Sequence, residues 1–313
     1  MTQPDDLYSV EVVLSGVSVS SATVAPAGAT TGPYLVRLER PQAAGETYRV
    51  RAEYAGEFHQ ATEGASGSAA SERSERRIAL DCTLTVLAVT PSGRPTRLAC
   101  VVERCEVSEA GATETPFPPR QALTLAHDGR DWAVARGDGN RLSPRLAEII
   151  TDALYPADPI GPAAADDDAV FGTDRPAAAG DAWAVDAAAF RRQLARSGII
   201  ARDGGVRGHA RLAEAWNEAG TDVVAVDIAV SADLDPEGQL ASVGGTAGDR
   251  GATMTLVARR IVPVDPTLPP VGESLEVRTT IVTTSDAPGP GRAPVTVVAT
   301  ATERREKRYA AAR

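Results

Sequence analysis

Three imidazoles, three thiols, a run of aspartates and a single lysine are the groups here with chemical potential. His59, His127 and His209 are scattered along the chain. A nucleophile triad needs one of them beside a Ser or Cys and a carboxylate. No Gly-x-Ser-x-Gly elbow and no metal-binding His pair at helical spacing accompanies them. Asp166, Asp167 and Asp168, with Asp158 and Asp174 nearby, offer oxygen ligands. They lack the alternating ligands, glycine and distal glutamate of a calcium loop, so this run reads as a solvated linker. Gly244 to Gly251 is glycine-rich but lacks the Gly-Lys-Ser/Thr ending of a phosphate loop. It reads as a hairpin loop. Lys307 is the only lysine, in the run Arg304, Arg305, Lys307, Arg308, which Glu303 and Glu306 dilute. That run reads as a solvated strand end. No catalytic residue, metal ligand or cofactor is assigned.

The thiols allow two readings. Cys82, Cys100 and Cys105 sit on two segments, 77–90 and 97–107, that flank the turn Pro91-Ser92-Gly93-Arg94-Pro95. Symmetric pairing about that turn sets Cys82 opposite Cys105, within disulfide reach. Matching the apolar faces instead, Ile78 to Val86 against Leu98, Cys100 and Val102, shifts the register and parts them. In that case all are buried free thiols.

The elements that must hold these groups are mostly strands. Alternation of period two runs through 8–19, 34–39, 47–54, 77–90, 97–107, 122–126 and 131–136. It resumes through 206–216, 222–232, 253–264, 274–284 and 294–304. Within 206–216, Val206, Ala210, Leu212 and Trp216 share one parity. Two helices stand out. Ser143 and Pro144 open one over 144–154, with Leu146, Ile149, Ile150 and Leu154 on one face. Asp186 opens the other over 187–197, with Ala187, Phe190 and Leu194 inward and Gly198 at its end. Both are too short to persist without a sheet to pack on. Segments 61–74, 157–168 and 285–294 read as loose.

The fold class expected is mainly β (α+β): antiparallel curved sheets in two related halves with two packing helices. The halves are 1–156 and 180–313, joined by a linker over 157–179. A likeness between Gly45-Glu46-Thr47-Tyr48-Arg49-Val50 and Gly180-Asp181-Ala182-Trp183-Ala184-Val185 suggests an internal duplication. The hairpins 77–107 and 206–232 correspond, as do Ala122-Leu123-Thr124-Leu125 and Ala252-Thr253-Met254-Thr255-Leu256.

Leu123-Thr124-Leu125 through Trp132-Ala133-Val134, Gly137-Asp138-Gly139, Ala169-Val170-Phe171, Arg175-Pro176 and the 209–232 hairpin together resemble a group of uncharacterised bacterial envelope proteins. The resemblance spans roughly residues 34 to 308. The plan is similar, at the level of fold alone, to the half-barrel of lipoprotein carriers. The resemblance implies no functional residues.

Composition excludes some classes. A net charge of −10 and a pI near 5.0 speak against a nucleic-acid partner held through phosphates. No apolar run is long enough for a transmembrane helix. The abundance of Ala, Gly, Arg and Pro fits GC-rich bacterial coding. The polar, acidic start Met1 to Asp6 is not a secretory leader. The chain is cytoplasmic if Met1 is native and extracytoplasmic if a signal was trimmed. Three function classes follow. The first is a non-catalytic envelope carrier holding an apolar small molecule or lipid in a cavity lined by Trp132, Trp183, Phe190, Leu194 and Trp216. The second is an interaction module using exposed sheet edges. The third is a hydrolase without a recognisable motif.

Overall fold

The computed structural model describes residues 30, 32–63, 69–129, 131–156, 167–196, 198–235, 251–285 and 295–311. Alternating sequences build one open antiparallel sheet of twelve strands. In chain order these are β1 (Thr47–Glu63), β2 (Ala69–Val89), β3 (Pro95–Glu109), β4 (Ala112–Glu114), β5 (Gln121–His127) and β6 (Trp132–Arg136). Then come β7 (Ala182–Ala184), β8 (Ala201–Glu218), β9 (Thr221–Leu234), β10 (Ala252–Pro263), β11 (Gly272–Ser285) and β12 (Val295–Ala311). Across the sheet the order is β6-β5-β3-β2-β1-β12-β11-β10-β9-β8-β7, with β4 beside β3. The two halves are therefore one continuous sheet, joined where β1 pairs with β12. The segments whose likeness suggested duplication are β1 and β7, β2–β3 and β8–β9, and β5 and β10. They follow the same direction across the sheet in each half.

That order leaves β6 and β7 at opposite edges, so the chain between them must cross a face of the sheet. It carries α1 (Pro144–Leu154) and α2 (Asp167–Phe171); α3 (Ala187–Arg196) follows β7. Pro144 opens α1, and Tyr155 ends it in a left-handed conformation, its N–H donating to the Thr151 carbonyl at 2.7 Å. Asp186 caps α3, its Oδ1 accepting from the Ala189 N–H at 2.8 Å, and Gly198 ends it with φ +74°. Helix α1 packs on β1, β2 and the edge strand β6. Those outer two strands lie four spacings apart, about 19 Å in a flat sheet, against a helix about 10 Å across. The sheet must curl around α1 to touch it from both sides.

Two cores result. Under α1 lie Val50, Ile78, Leu80, Leu98, Leu123, Leu125, Ile149 and Ile150. Under α2 and α3 lie Phe171, Phe190, Leu194, Leu212, Val226 and Ile228, with Phe171 and Phe190 edge to face at 5.9 Å. The second core also takes Val36 and Leu38. The segment around them alternates like a strand, yet only Tyr34 forms a bridge, to Ala177. The rest is a strap lying over the sheet. The Leu38 and Glu39 N–H groups bond the Asp168 carboxylate, and the Gln42 N–H reaches the Gly93 carbonyl at 2.7 Å.

Other expectations change too. Residues 61–63 and 69–74 continue the β1–β2 hairpin instead of forming a loose loop. Asp167 and Asp168, expected in a solvated linker, open α2. A bulge between Leu212 and Glu214 flips the parity of β8, so Ala215 is buried and Trp216 turns outward, half-exposed. Helix α3 is described over Ala187–Arg196, and Ser197, the last residue expected in it, lies outside the described residues. The strand expected at 8–19 and the loops at 244–250 and 286–294 fall outside the described residues.

A bulge also settles the thiol geometry. Cys82 pairs with Val102 and Cys105 with Leu80, because one residue of β3 is extra between them. That shift turns Cys100, Val102, Cys105 and Val107 all inward despite their mixed parity. The three cysteines are buried free thiols, and Cys82 is not bridged to Cys105. Burial pushes the Cys105 thiol up to about 12. A thiol reagent should find none of the 3 cysteines reactive in the native protein and all of them after unfolding. A native count above zero would contradict the packing. Ile149→Ala should lower stability by about 2–5 kcal/mol in urea titrations, because Ile149 is fully buried under α1.

Candidate functional site

Helices cover the inner face unevenly. Helix α1 sits on one flank and α3 on β8 at the other. Between them β12, β11 and β10 form a floor whose side chains follow from register. The first row is Ala52, Lys307, Glu273, Arg260, Val226; the next is Tyr54, Arg305, Leu275, Ala258, Ile228. Beyond lie Gly56, Glu303, Val277, Leu256, Val230, and then Phe58, Ala301, Thr279, Met254, Ala232. The last row is Gln60, Ala299, Ile281, Ala252, Leu234. One end of the floor is charged and the other apolar.

The charged end lies at the seam between the halves. Lys307 is only 7% exposed. Its ammonium and the Arg260 guanidinium share the Glu273 carboxylate. Arg260 continues to Asp167 at 3.4 Å, whose backbone N–H donates to Glu39 Oε1 at 3.2 Å. Glu39 in turn pairs with Arg94 at 2.8 Å. One polar chain thus ties β12, β10, α2, the strap and the β2–β3 turn. Arg305 makes the opposite connection. Its guanidinium lies 3.9 Å from the centre of the Tyr155 ring at the end of α1 and 5.5 Å from that of Tyr54. Gly56 makes room for Tyr54: a Cβ there would stand 2.5 Å from the tyrosine hydroxyl. Arg76 pairs with Glu148 at 2.9 Å and Asp152 at 3.2 Å, fastening α1 to β2.

Burial decides the protonation of this node. Two cations face one carboxylate, and the guanidinium cannot give up its proton. Desolvation, with Arg260 and then Arg305 nearby, pushes the Lys307 ammonium down to about 7. Burial likewise raises the Asp152 carboxyl, partly offset by Arg76. Burial pushes the Tyr48 phenol up to about 12. Tyr48 and Tyr309 meet edge to face at 5.9 Å below Lys307. There, with Val271 and Pro263, they frame a cleft of about 240 Å³.

The side chains expected to line one cavity are divided between the halves. Trp132 packs on the α1 core and stacks edge to face with His127 at 5.5 Å. Trp183, Phe190 and Leu194 belong to the other core, and Trp183 Nε1 donates to the Phe171 carbonyl at 2.9 Å. Trp216 turns away at the bulge. His59, His127 and His209 stand on β1, β5 and β8 and do not meet. The solvated strand end is half right: Arg304 and Arg308 are exposed, while Arg305 and Lys307 point inward. Counting parity back from Lys307 to Val297 would have shown this.

Compared with known protein families and with curated proteins, the chain has no match. Among solved structures, lipovitellin matches at TM-score 0.33 and 5% identity, covering 87% of this chain and 26% of that one. The chain thus spans about a quarter of lipovitellin's length. A LolA-superfamily protein of Nitrosomonas europaea matches at TM-score 0.16 and 9% identity, covering 84% and 86%. OpdQ of Pseudomonas aeruginosa matches at TM-score 0.17 and 7% identity, covering 84% and 97%.

The node has a pH signature. Lys307 ionises near 7 when folded and near 10.5 when unfolded, so between those values the unfolded chain binds more protons. Stability of the wild type relative to Lys307→Met should therefore rise with pH across that window, by at most about 1.4 kcal/mol per pH unit. Urea midpoints at a series of pH values would show it; a pH-independent difference would place the ammonium in contact with water. Glu273→Gln, which leaves Arg260 and Lys307 without their shared anion, should cost about 3–5 kcal/mol.

Proposed function

We propose that this protein is a non-catalytic binding protein that holds an apolar chain along the floor of its inner face. The supporting observation is the row pattern of β10–β12. Past Glu303 the inward residues are Val277, Leu256, Thr279, Met254, Ala301, Ile281 and Ala299. Of these, Leu256, Val277, Ile281, Ala299 and Ala301 are only half-buried. They lie between the two helix-covered flanks, where α1 and α3 make their main contacts with other strands. An aliphatic ligand laid there would complete the burial of these side chains, at about 25 cal/mol per Å² of apolar surface removed from water. Trp183, Phe190 and Leu194 back the flank of that floor from the α3 core. A carrier of lipid or another apolar small molecule is the class of activity this surface suits.

The test is equilibrium binding of palmitate, with the intact mass measured under native and denaturing conditions to detect a ligand retained through purification. Val277→Arg, which sets a charge in the middle of the floor, should weaken palmitate binding about tenfold or more while the urea midpoint shows that the variant is folded. Absence of both palmitate binding and a retained ligand in the wild type would remove this reading.

A further inference from the structure

The outer face of the same strands has a different character. Opposite the apolar floor, the outward residues of β2, β1, β12 and β11 form two rows: Arg73, His59, Thr300, Thr280, and Glu75, Glu57, Thr302, Arg278. All of these but Glu75, together with Phe58, line a groove of about 340 Å³, within the size range of small-molecule sites. Its floor is hydroxyl: Thr302 is only 6% exposed, and Thr280 and Thr300 approach each other at 3.5 Å between their Oγ1 atoms. Its rim is guanidinium and imidazole.

The charges around it are not evenly matched. Arg73 pairs with Glu57 at 3.5 Å, Arg77 with Glu75 at 2.5 Å and Arg304 with Glu276 at 2.9 Å. Arg278 differs. Among the described residues it meets no carboxylate, and its one contact is a long bond from Nε to Thr302 Oγ1 at 3.4 Å. A guanidinium presents five donors in a planar fork suited to carboxylate or phosphate. Here that fork stands over three hydroxyls, which donate or accept as the ligand requires. Across the groove, His59 Nε2 lies 3.0 Å from Ser71 Oγ, and Glu57 supplies an acceptor.

We propose that this outer groove binds a small hydroxylated oxyanion, an acidic or phosphorylated sugar in size and chemistry, with its anionic group on Arg278 and its hydroxyls on Thr280, Thr300, Thr302 and Glu57. The site is separate from the inner floor and does not rest on the apolar-ligand reading. Several features suit such a ligand. A polar floor excludes an aliphatic chain, because each hydroxyl would lose its partners. Among the described residues no carboxylate competes with the anion for this arginine. The one carboxylate of the lining, Glu57, stands two strands away from Arg278, so the two polarities of the ligand meet opposite ends of the groove.

Calorimetric titration of the full chain tests this with galacturonate, a glucose monophosphate and neutral glucose. The two anions separate a carboxylate from a phosphate source, and saturable binding of either, with glucose at least about tenfold weaker, is the expected result. Arg278→Gln should weaken the bound anion about tenfold or more. Arg304→Gln, which removes a paired arginine outside the groove lining, should leave binding unchanged. Arg278 is exposed, so its substitution is expected to leave the thermal midpoint near that of the wild type. If that variant fails to fold, Thr300→Val serves instead, with loss of binding expected. No saturable binding of either anion would overturn the proposal, as would equal binding of glucose or unchanged affinity in Arg278→Gln.

Discussion

The pairing of β1 with β12 governs the rest of the molecule. From Tyr48 opposite Ala311 to Glu63 opposite Thr296, strands from the two ends of the described chain lie side by side at mid-sheet. With the ends spent at the centre, the middle of the chain must supply both edges. Strands β6 and β7 then lie the full width of the sheet apart, though only 45 residues separate Arg136 from Ala182 in sequence. That connection must cross a face, and what it carries becomes the inner layer. Helices α1 and α2 are on this crossing, and α3 follows it directly. Short amphipathic helices gain most of their stability from such packing. Here topology and burial require the same thing: a chain forced across the sheet must bring apolar side chains with it or leave the inner face wet.

The same pairing explains why charge is buried at the seam. Two-residue slips between neighbouring strands keep every side chain on its own face, so hydrophobic alternation does not oppose them. Moving β12 by two along β11 would set Lys307 against Leu275 or Val271 instead of Glu273, and a buried ammonium without an anion is costly. Glu273 also holds Arg260, and Arg260 reaches Asp167 on α2. The node therefore fixes the register of three strands and the seat of a helix together. On the other side, Arg305 between Tyr54 and Tyr155 performs the same service for α1, with the cation resting on ring faces while one guanidinium nitrogen pairs with Glu303 at 2.7 Å.

Most of the strands could be read directly, because alternation of inward and outward residues is a local signal that survives in long antiparallel strands. So could the two longer helices, whose ends carry Pro144, Asp186 and Gly198. What escaped was set by groups distant in sequence. The strap at 34–40 alternates like a strand, but its N–H groups are taken by Asp168 from across the molecule. Asp167 and Asp168 look solvated until Glu39 and Leu38 are placed beside them. Trp216 was misjudged because a bulge adds one residue and parity counted through it points to the wrong face; a bulge in β3 likewise sets Cys105 opposite Leu80 and not Cys82, which leaves the free-thiol reading. Lys307 was passed over because four basic residues in six suggest solvent, although period two already divides them into an inner and an outer pair. The candidate floor itself was invisible, since it is composed row by row from five strands.

The central strands project beyond the helices, and there the sheet presents one layer with two unlike faces. Inward it offers Val277, Ile281, Ala299 and Ala301; outward, Thr280, Thr300, Thr302 and Arg278. A sheet wet on both faces has no need of this contrast, and polar residues on both sides would hold it in solution at less cost. One solvated face and one apolar face is the pattern of a sheet that packs against something. Within each half that something is a helix. Along β10 to β12 the described helices stand to either side, so the strands keep the composition of a covered sheet over a stretch that no described helix covers. On the reading proposed above, a bound apolar chain would supply that layer at no cost in register, and the deep charged node at the other end would limit how far along the floor it could lie.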